Sequence, residues 1–173
     1  MSSRVDRKKT ELIVIHHSGS FASRDIGAFE IDQLHRARGF DCIGYHLVIR
    51  RDGRVESGRA LSTVGAHARG FNTVSVGLCL VGGRADGEEY KAELNFTPKQ
   101  WLSLAQTLSA LLQRYPNAVI VGHNDLSMQK DCPGFNVRRT FAVMLREYPE
   151  VLLHSQCNRT YGFGKRRKFQ MLS

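Results

Sequence analysis

Three short apolar runs rich in β-branched residues constrain the fold of this chain more than any other feature. They span residues 12–15, 74–81 and 118–121, and each is followed by polar residues or glycine. Apolar runs of this length that lead into such residues are typical of buried strands ending in loops. Because functional side chains often lie on loops held by a rigid scaffold, the residues after these strands are the first candidates for a site.

Segments with helical periodicity separate the predicted strands. Residues 26–38 carry apolar side chains near helical spacing and are followed by a glycine, which predicts an amphipathic helix. A longer helix is predicted over residues 98–112, with Thr97 as N-cap and proline at its first position. A final helix is expected over residues 136–148.

An Asp-Gly pair at positions 52 and 53 predicts a tight turn in a β-hairpin whose first strand begins at Tyr45. Strands mixed with helices, including one hairpin, indicate an α/β fold with a central mixed β-sheet flanked by helices. The chain has 173 residues, of which 42% are hydrophobic, and this length favours a single domain.

Positive charge is concentrated near the C-terminus. The net charge is +9, and five basic residues but no acidic residue follow Glu150. Such a surplus favours anionic partners without selecting one of them. No aromatic residue interrupts the run Lys165–Lys168, so we expect no dedicated nucleic-acid site there. We divide the chain into an N-terminal arm at 1–10, a domain at 11–148 and a basic C-terminal extension at 149–173.

Two histidines and a cysteine near the predicted strand ends are candidate metal ligands. His16 follows the first apolar run, His123 follows the third, and Cys132 lies nine residues after His123. Catalytic zinc commonly has three protein ligands, including mixed His and Cys sets, and keeps one position open for water. A strand-end histidine is also often an ordinary hydrogen-bonded residue, and a cysteine is often a small buried hydrophobe. The spacing by itself leaves both interpretations open.

The order of five motifs resembles the family of zinc-dependent N-acetylmuramoyl-L-alanine amidases. The motifs are IVIHHS, IGYHLVIRRDGRVESGR, VGAHARGFNTVSVGLCLVGG, NFTPKQ and VGHNDLSMQKDCPGF, and the resemblance spans residues 11–146. This family includes the amidase-lysozymes (endolysins) of short-tailed phages, which the chain resembles most, as well as bacterial amidases and animal peptidoglycan recognition proteins. The resemblance implies the fold of that family, one Zn²⁺ per chain, and peptidoglycan as the partner. It also implies hydrolysis of the amide bond between N-acetylmuramic acid and L-alanine, with lysis of the host as the outcome.

The resemblance places the zinc ligands of the family on His16, His123 and Cys132. His17 directly follows the first ligand in the sequence. Neighbouring residues of a strand point to opposite faces, so His16 and His17 are not expected to bind the same metal ion. We expect His17 to be a polar or substrate-facing residue close to the site.

Two further family positions that are needed for hydrolysis fall on Tyr45 and Lys130. Neither residue is a metal ligand in the family. Lys130 is expected to share the oxyanion with the zinc ion, and Tyr45 to hold or transfer a proton. The segment from His123 to Lys130 is one residue longer than in the phage enzymes. Outside the family context, Tyr45 would be interpreted as a core aromatic residue and Lys130 as a solvated surface charge.

The segment AHARGFN supplies the candidates for substrate contact. In the family this loop helps to line the groove, which makes His67 and Asn72 candidates for hydrogen bonds to the muramyl peptide. His46 follows Tyr45 and lies on the other side of its strand, so we expect a packed histidine that supports the site from behind.

Three other functions compete with that of an amidase. Some recognition proteins of this fold bind peptidoglycan without cutting it, but they generally lack the cysteine that is present here as Cys132. A glycosidase would need two carboxylates flanking the glycosidic bond, and no such pattern is recognisable. Similar phage enzymes also bind the RNA polymerase of their own phage, so this polymerase is a candidate partner. The first eleven residues would then form a binding arm instead of a solvated terminus.

The sequence also predicts where the protein is made. Its first eleven residues lack the apolar region of a signal peptide, and no later stretch approaches the roughly 18 apolar residues of a membrane span. The four cysteines lack the spacing of a disulfide framework, which favours reduced thiols. We expect a monomer in the cytoplasm of the host bacterium, which reaches the cell wall after release across the inner membrane. There the basic extension could attract an anionic envelope surface.

Overall fold

A central β-sheet of five strands organises the chain, whose computed structural model describes residues 5–87 and 89–147. The strands are β1 (Leu12–His17), β2 (Ser20–Phe21), β3 (Leu47–Ile49), β4 (Val55–Ser57), β5 (Ser75–Leu80), β6 (Gly83–Arg84) and β7 (Val119–Gly122). The helices are α1 (Ala28–Arg36), α2 (Pro98–Arg114), α3 (His123–Leu126) and α4 (Val137–Glu147). The predicted basic extension at 149–173 lies outside the described residues.

The sheet is mixed, as predicted. Its order is β4-β3-β5-β1-β7, with β4 antiparallel to β3 and the other neighbours parallel. Strands β2 and β6 form a separate parallel pair. The carboxyl ends of the parallel strands β1 and β7 therefore lie at the same edge of the sheet. The α/β class with a central mixed sheet flanked by helices is confirmed.

The central strands are buried because both faces of the sheet are covered. All six residues of β5 are buried, and alternate residues of this strand face different clusters. Leu78 packs into the cluster that contains Leu104 and Leu108 of α2. Cys79 packs into a cluster with Ile31 of α1 on the other face. Near-continuous apolar runs are the sequence pattern of such doubly covered parallel strands.

Helix α2 begins as the sequence predicts and is fastened to the sheet at its first turn. The hydroxyl of Thr97 accepts a hydrogen bond from the backbone N–H of Gln100 at 3.1 Å, and the Gln100 side chain accepts one from the N–H of Thr97 at 3.0 Å. The amide nitrogen of the fully buried Gln100 side chain also donates to the carbonyls of Ile49, at 3.2 Å, and Val81, at 2.8 Å. The helix start thereby holds the ends of β3 and β5 together.

The predicted hairpin is present, but its regular strands are shorter than expected. Gly53 has a φ of +87°, which the turn between β3 and β4 requires and which glycine adopts without strain. Tyr45 lies just before β3 instead of within it. Its carbonyl accepts a hydrogen bond from the N–H of Arg59 at 2.9 Å, while the carbonyl of His46 accepts from Gly58 at 2.8 Å. Two successive residues thus pair irregularly with the chain after β4, which ends the regular ladder.

Residues 5–7 are docked on the body of the protein and do not form a free solvated terminus. The carbonyl of Val5 accepts a hydrogen bond from the N–H of Val64 at 2.8 Å. The guanidinium of Arg7 donates to the carbonyl of Thr63 at 3.0 Å and to that of Leu61. The predicted arm therefore packs on the segment 61–64 over these residues, while residues 1–4 lie outside the described part. Within the described residues, no helix has the length and apolarity needed to cross a membrane.

Candidate metal centre and active site

His16, His123 and Cys132 meet at the edge where β1 and β7 end. His16 is near the end of β1, His123 begins α3 directly after β7, and Cys132 lies in the loop between α3 and α4. One ligand atom from each residue can be chosen so that all three lie within 4.8 Å of one another. The Sγ atom of Cys132 is 3.7 Å from Nδ1 of His16, and the rings of His16 and His123 are 4.6 Å apart between centroids.

Backbone contacts hold Cys132 in this position. The N–H of Asn124 donates to the carbonyl of Cys132 at 2.7 Å. The N–H of His17 donates to the Sγ atom of Cys132 at 3.2 Å. The loop that carries the cysteine is thus tied both to α3 and to the end of β1. These ties bring together residues that are 116 positions apart in the sequence.

The chemistry of this group fits a divalent metal ion. Zinc bonds of about 2.0–2.3 Å in a tetrahedral arrangement separate neighbouring ligand atoms by roughly 3.3–3.7 Å. The 3.7 Å between Cys132 and His16 agrees with this geometry. Burial lowers the pKa of both His16 and His123, which favours the neutral imidazoles that bind metals. Burial also raises the pKa of the Cys132 thiol to about 12, so a bound cation would be needed to hold the thiolate.

The side chain of His17 lies away from this group of ligands. Its Nε2 atom is 3.0 Å from the hydroxyl of Tyr90. Its ring packs so closely on Gly83 that a Cβ atom there would be 2.5 Å from the ring. This placement agrees with the alternation of side chains along β1. Substrate contact by His17 stays a prediction.

Tyr45 lies next to the metal-binding group. The centroid of its ring is 5.1 Å from that of His16, and its side chain packs against the cluster that contains Cys79. Burial raises the pKa of the Tyr45 hydroxyl well above its usual value, and the nearby thiols of Cys79 and Cys132 add to this effect. The hydroxyl therefore keeps its proton at neutral pH and can act as a hydrogen-bond donor.

Lys130 is exposed and lies in the loop that carries Cys132. Its ammonium charge adds to the effect of burial in lowering the pKa of His123, and it opposes the effect of burial on Cys132. Lys130 also lines an open cleft of about 750 Å³. Tyr90 and Lys91 line the same cleft. The cation is thus close enough to influence the metal-binding group while remaining open to solvent.

His67 and Asn72 make internal contacts beneath the metal-binding group. Nδ1 of His67 is 3.0 Å from Nε2 of His16. Burial lowers the pKa of His67 to about 3. The Oδ1 atom of Asn72 accepts hydrogen bonds from the N–H groups of His67, at 2.9 Å, and Ala68, at 2.8 Å. Asn72 thereby fixes the backbone that carries His67, and contact of either side chain with substrate stays a prediction.

His46 is the packed histidine that the sequence predicts. Its side chain has no exposed surface, and burial lowers its pKa to about 4. Nδ1 of His46 accepts a hydrogen bond from the N–H of Gly77 at 2.9 Å, and Nε2 is 2.9 Å from the carbonyl of Thr63. The ring lies behind His67, with 5.6 Å between the two centroids.

Three neighbours of the site were not identified from the sequence: Ser75, Cys79 and Tyr90. Cys79 pairs with His16 in the register of β5 against β1, so knowledge of that register would have located it. Tyr90 is an aromatic residue in a polar segment, and this unusual position marks it as a candidate site residue. Ser75 begins β5, and its contact with His67 depends on how the preceding loop folds back.

Comparisons with known proteins agree with this geometry. The model of a family described as N-acetylmuramoyl-L-alanine amidase matches residues 6–135. The endolysin of Enterobacteria phage K11 is 45% identical over 134 residues, which are 77% of this chain and 86% of that protein. The N-acetylmuramoyl-L-alanine amidase LysC from Clostridium intestinale URNW has a TM-score of 0.69 at 29% identity, covering 86% of this chain and 91% of that one.

The fold also extends to an animal protein. Wild-type Drosophila PGRP-LB has a TM-score of 0.61 at 27% identity, covering 83% of this chain and 88% of that one. These similarities confirm the resemblance carried by the five motifs. The chain belongs to the N-acetylmuramoyl-L-alanine amidase family.

Proposed function

We propose that this chain is a phage-type endolysin that cuts bacterial peptidoglycan between N-acetylmuramic acid and L-alanine, with one Zn²⁺ held by His16, His123 and Cys132. The observation that carries the proposal is the convergence of these three side chains within 4.8 Å. Tyr45 and Lys130 lie near them, and similar proteins such as that of phage K11 are named endolysins.

Amide hydrolysis requires an activated water molecule, stabilisation of the oxyanion and a proton for the departing nitrogen. Bound to these ligands, Zn²⁺ would supply a water molecule with a pKa near 7 and would polarise the carbonyl. Lys130 would stabilise the negative charge that develops on the carbonyl oxygen. The Tyr45 hydroxyl is protonated at neutral pH, and burial raises its pKa further, so it would donate a hydrogen bond to the attacking water or to the departing nitrogen.

Product analysis on purified peptidoglycan tests this proposal. We expect new amino-terminal alanine without new reducing sugar ends, because an amidase leaves the glycan chain intact. Protein treated with a chelator should produce no new alanine termini, and addition of Zn²⁺ should restore their formation. New reducing ends would mean that the chain is a glycosidase. Binding to peptidoglycan without any product would mean that it is a recognition module.

The biological role also needs a route to the wall. Host lysis by this activity would require synthesis in the host cytoplasm followed by release across the inner membrane. We further propose that the basic residues 165–168 attract the chain to anionic envelope surfaces. Exposed charges act over about 8 Å at physiological salt, so such an attraction would be sensitive to ionic strength.

Truncation after Tyr148 tests the role of the extension. We expect weaker binding to whole cell walls at low salt and an unchanged rate on a small soluble muramyl peptide. A full-length variant with glutamine at positions 165–168 serves as the matched control, since it removes the charge and keeps the length. Equal wall binding by all three proteins would contradict the attraction. Loss of cleavage of the small substrate would show that the extension is part of the catalytic domain.

A further inference from the structure

A chain of hydrogen bonds leads from a backbone carbonyl to the buried ligand His16. The hydroxyl of Ser75 donates to the carbonyl of Phe71 at 2.7 Å. Oγ of the same serine is 3.4 Å from Nε2 of His67. Nδ1 of His67 is in turn 3.0 Å from Nε2 of His16. His16 and Ser75 are almost completely buried, so their polar atoms depend on these partners.

The direction of each hydrogen bond follows from the carbonyl of Phe71, at which this series of hydrogen bonds ends. A carbonyl oxygen only accepts, so the proton of the Ser75 hydroxyl is committed to Phe71. Its oxygen can then serve His67 only as an acceptor, which places the proton of the neutral His67 ring on Nε2.

The remaining nitrogen of His67 determines the state of the metal ligand. With its proton on Nε2, His67 presents an unprotonated Nδ1, and this atom accepts a proton from Nε2 of His16. Nδ1 of His16 is then the unprotonated nitrogen. That atom is the one that lies 3.7 Å from Sγ of Cys132, on the side of the metal-binding group.

The space around His67 is shaped for this orientation of the ring. A Cβ atom at Gly77 or at Gly65 would lie 2.5 Å from the His67 ring. Both positions therefore require glycine for steric reasons. Asn72 holds the backbone of His67 through two hydrogen bonds. The ring is thus fixed by packing on its faces and by the loop at its base.

We propose that His67 is a positioning residue that sets the tautomer of His16, so that His16 binds the metal through Nδ1. Residues that hydrogen-bond to metal-bound histidines commonly fix the orientation of the ring in this way, and their loss typically weakens metal affinity about 10- to 100-fold. The inference rests on the proposed metal-dependent function, but it concerns the ligand atom and not the reaction.

The first test needs no substitution. Long-range ¹H–¹⁵N spectra of the zinc-loaded protein report which nitrogen of each histidine carries a proton and which one binds the metal. We expect His16 to be protonated at Nε2 and bound through Nδ1, and His67 to be protonated at Nε2 alone. Coordination of His16 through Nε2, or a proton on Nδ1 of His67, would overturn the proposal.

Two substitutions of His67 separate hydrogen bonding from packing. His67→Asn places an amide oxygen near the former position of Nδ1, so an acceptor for His16 is retained. His67→Leu removes the acceptor while filling a similar volume. In chelator competition we expect the zinc affinity to fall about 10- to 100-fold in the leucine variant and only a few-fold in the asparagine variant. Equal affinities for the two variants would overturn the proposal.

Ser75→Ala tests the end of the hydrogen-bond series that is farther from His16. It also provides a test if the His67→Leu variant does not fold. Without the serine hydroxyl, Nε2 of His67 loses its side-chain acceptor, and we expect part of the His67 population to carry its proton on Nδ1. Ser103→Ala is the matched control, because the Ser103 hydroxyl donates to a backbone carbonyl, that of Gly53, at 2.6 Å away from the site. Unchanged His67 spectra in the Ser75 variant would overturn the proposal. None of these measurements depends on amide cleavage. A negative result in the amidase assay would therefore not change how they are interpreted.

Discussion

Replacing Cys132 with alanine should remove both the bound metal and the activity. Two imidazoles would remain from the three-ligand group, and the activated water molecule would be lost together with the metal. Removing a single oxyanion donor costs about a hundredfold to a thousandfold in rate. Since the metal serves both the nucleophile and the oxyanion, we expect the loss to exceed about a thousandfold. Elemental analysis and turnover on a soluble muramyl peptide measure the two effects.

Cys42→Ala is the matched control for this variant. Cys42 is buried, its Sγ atom lies 3.5 Å from the carbonyl oxygen of Ile43, and it is not part of the metal-binding group. The Cys42→Ala variant should keep one zinc ion per chain and normal turnover. Full zinc content in the Cys132 variant would show that the ligand set is wrong.

Removing the catalytic groups should separate chemistry from metal binding. Tyr45→Phe and Lys130→Ala should each keep the zinc ion, because neither side chain belongs to the metal-binding group. Both are proposed to act in the transition state, so we expect turnover to fall about a hundredfold to a thousandfold in each variant. Substrate affinity should change much less. Zinc content, substrate affinity and turnover are measured side by side.

Each of these two variants has a control within the chain. Lys91 lines the same cleft as Lys130, so Lys91→Ala removes an equal charge from that cleft. Tyr115→Phe removes a tyrosine hydroxyl that contacts Arg114 at 3.0 Å, away from the metal-binding group. Both controls should keep nearly normal turnover. Normal turnover of the Lys130 variant would mean that the extra residue after His123 has moved this lysine out of the site, and another cation would have to be sought.

The sequence predicts the framework of this fold because local patterns carry it. The start of α2 is readable from Thr97 and Pro98, since capping depends on residues within one turn. The Asp-Gly turn is readable because the required φ at Gly53 suits that residue. The short helix α3, by contrast, was not predicted. Its four residues are too few to display a helical period.

The contacts beneath the site could not be predicted, because they join distant segments. His67 and His16 are 51 positions apart, and His67 lies in the loop between β4 and β5. No periodicity within either segment reports how this loop folds against β1. The docking of Arg7 on the segment 61–64 cannot be predicted from the sequence for the same reason. A polar, charged N-terminal sequence is compatible with a solvated terminus and with a docked strand.

The distribution of the ligands along the chain has a consequence for biosynthesis. Cys132 is translated 116 residues after His16. A growing polypeptide therefore cannot complete the site until β7 and the following loop have left the ribosome. Because binding to the folded state alone adds to stability by mass action, free zinc at a hundred times its dissociation constant would add about 2.7 kcal/mol to the free energy of unfolding. A chain that ends before Cys132 lacks one of the three ligands and would not gain this stabilisation.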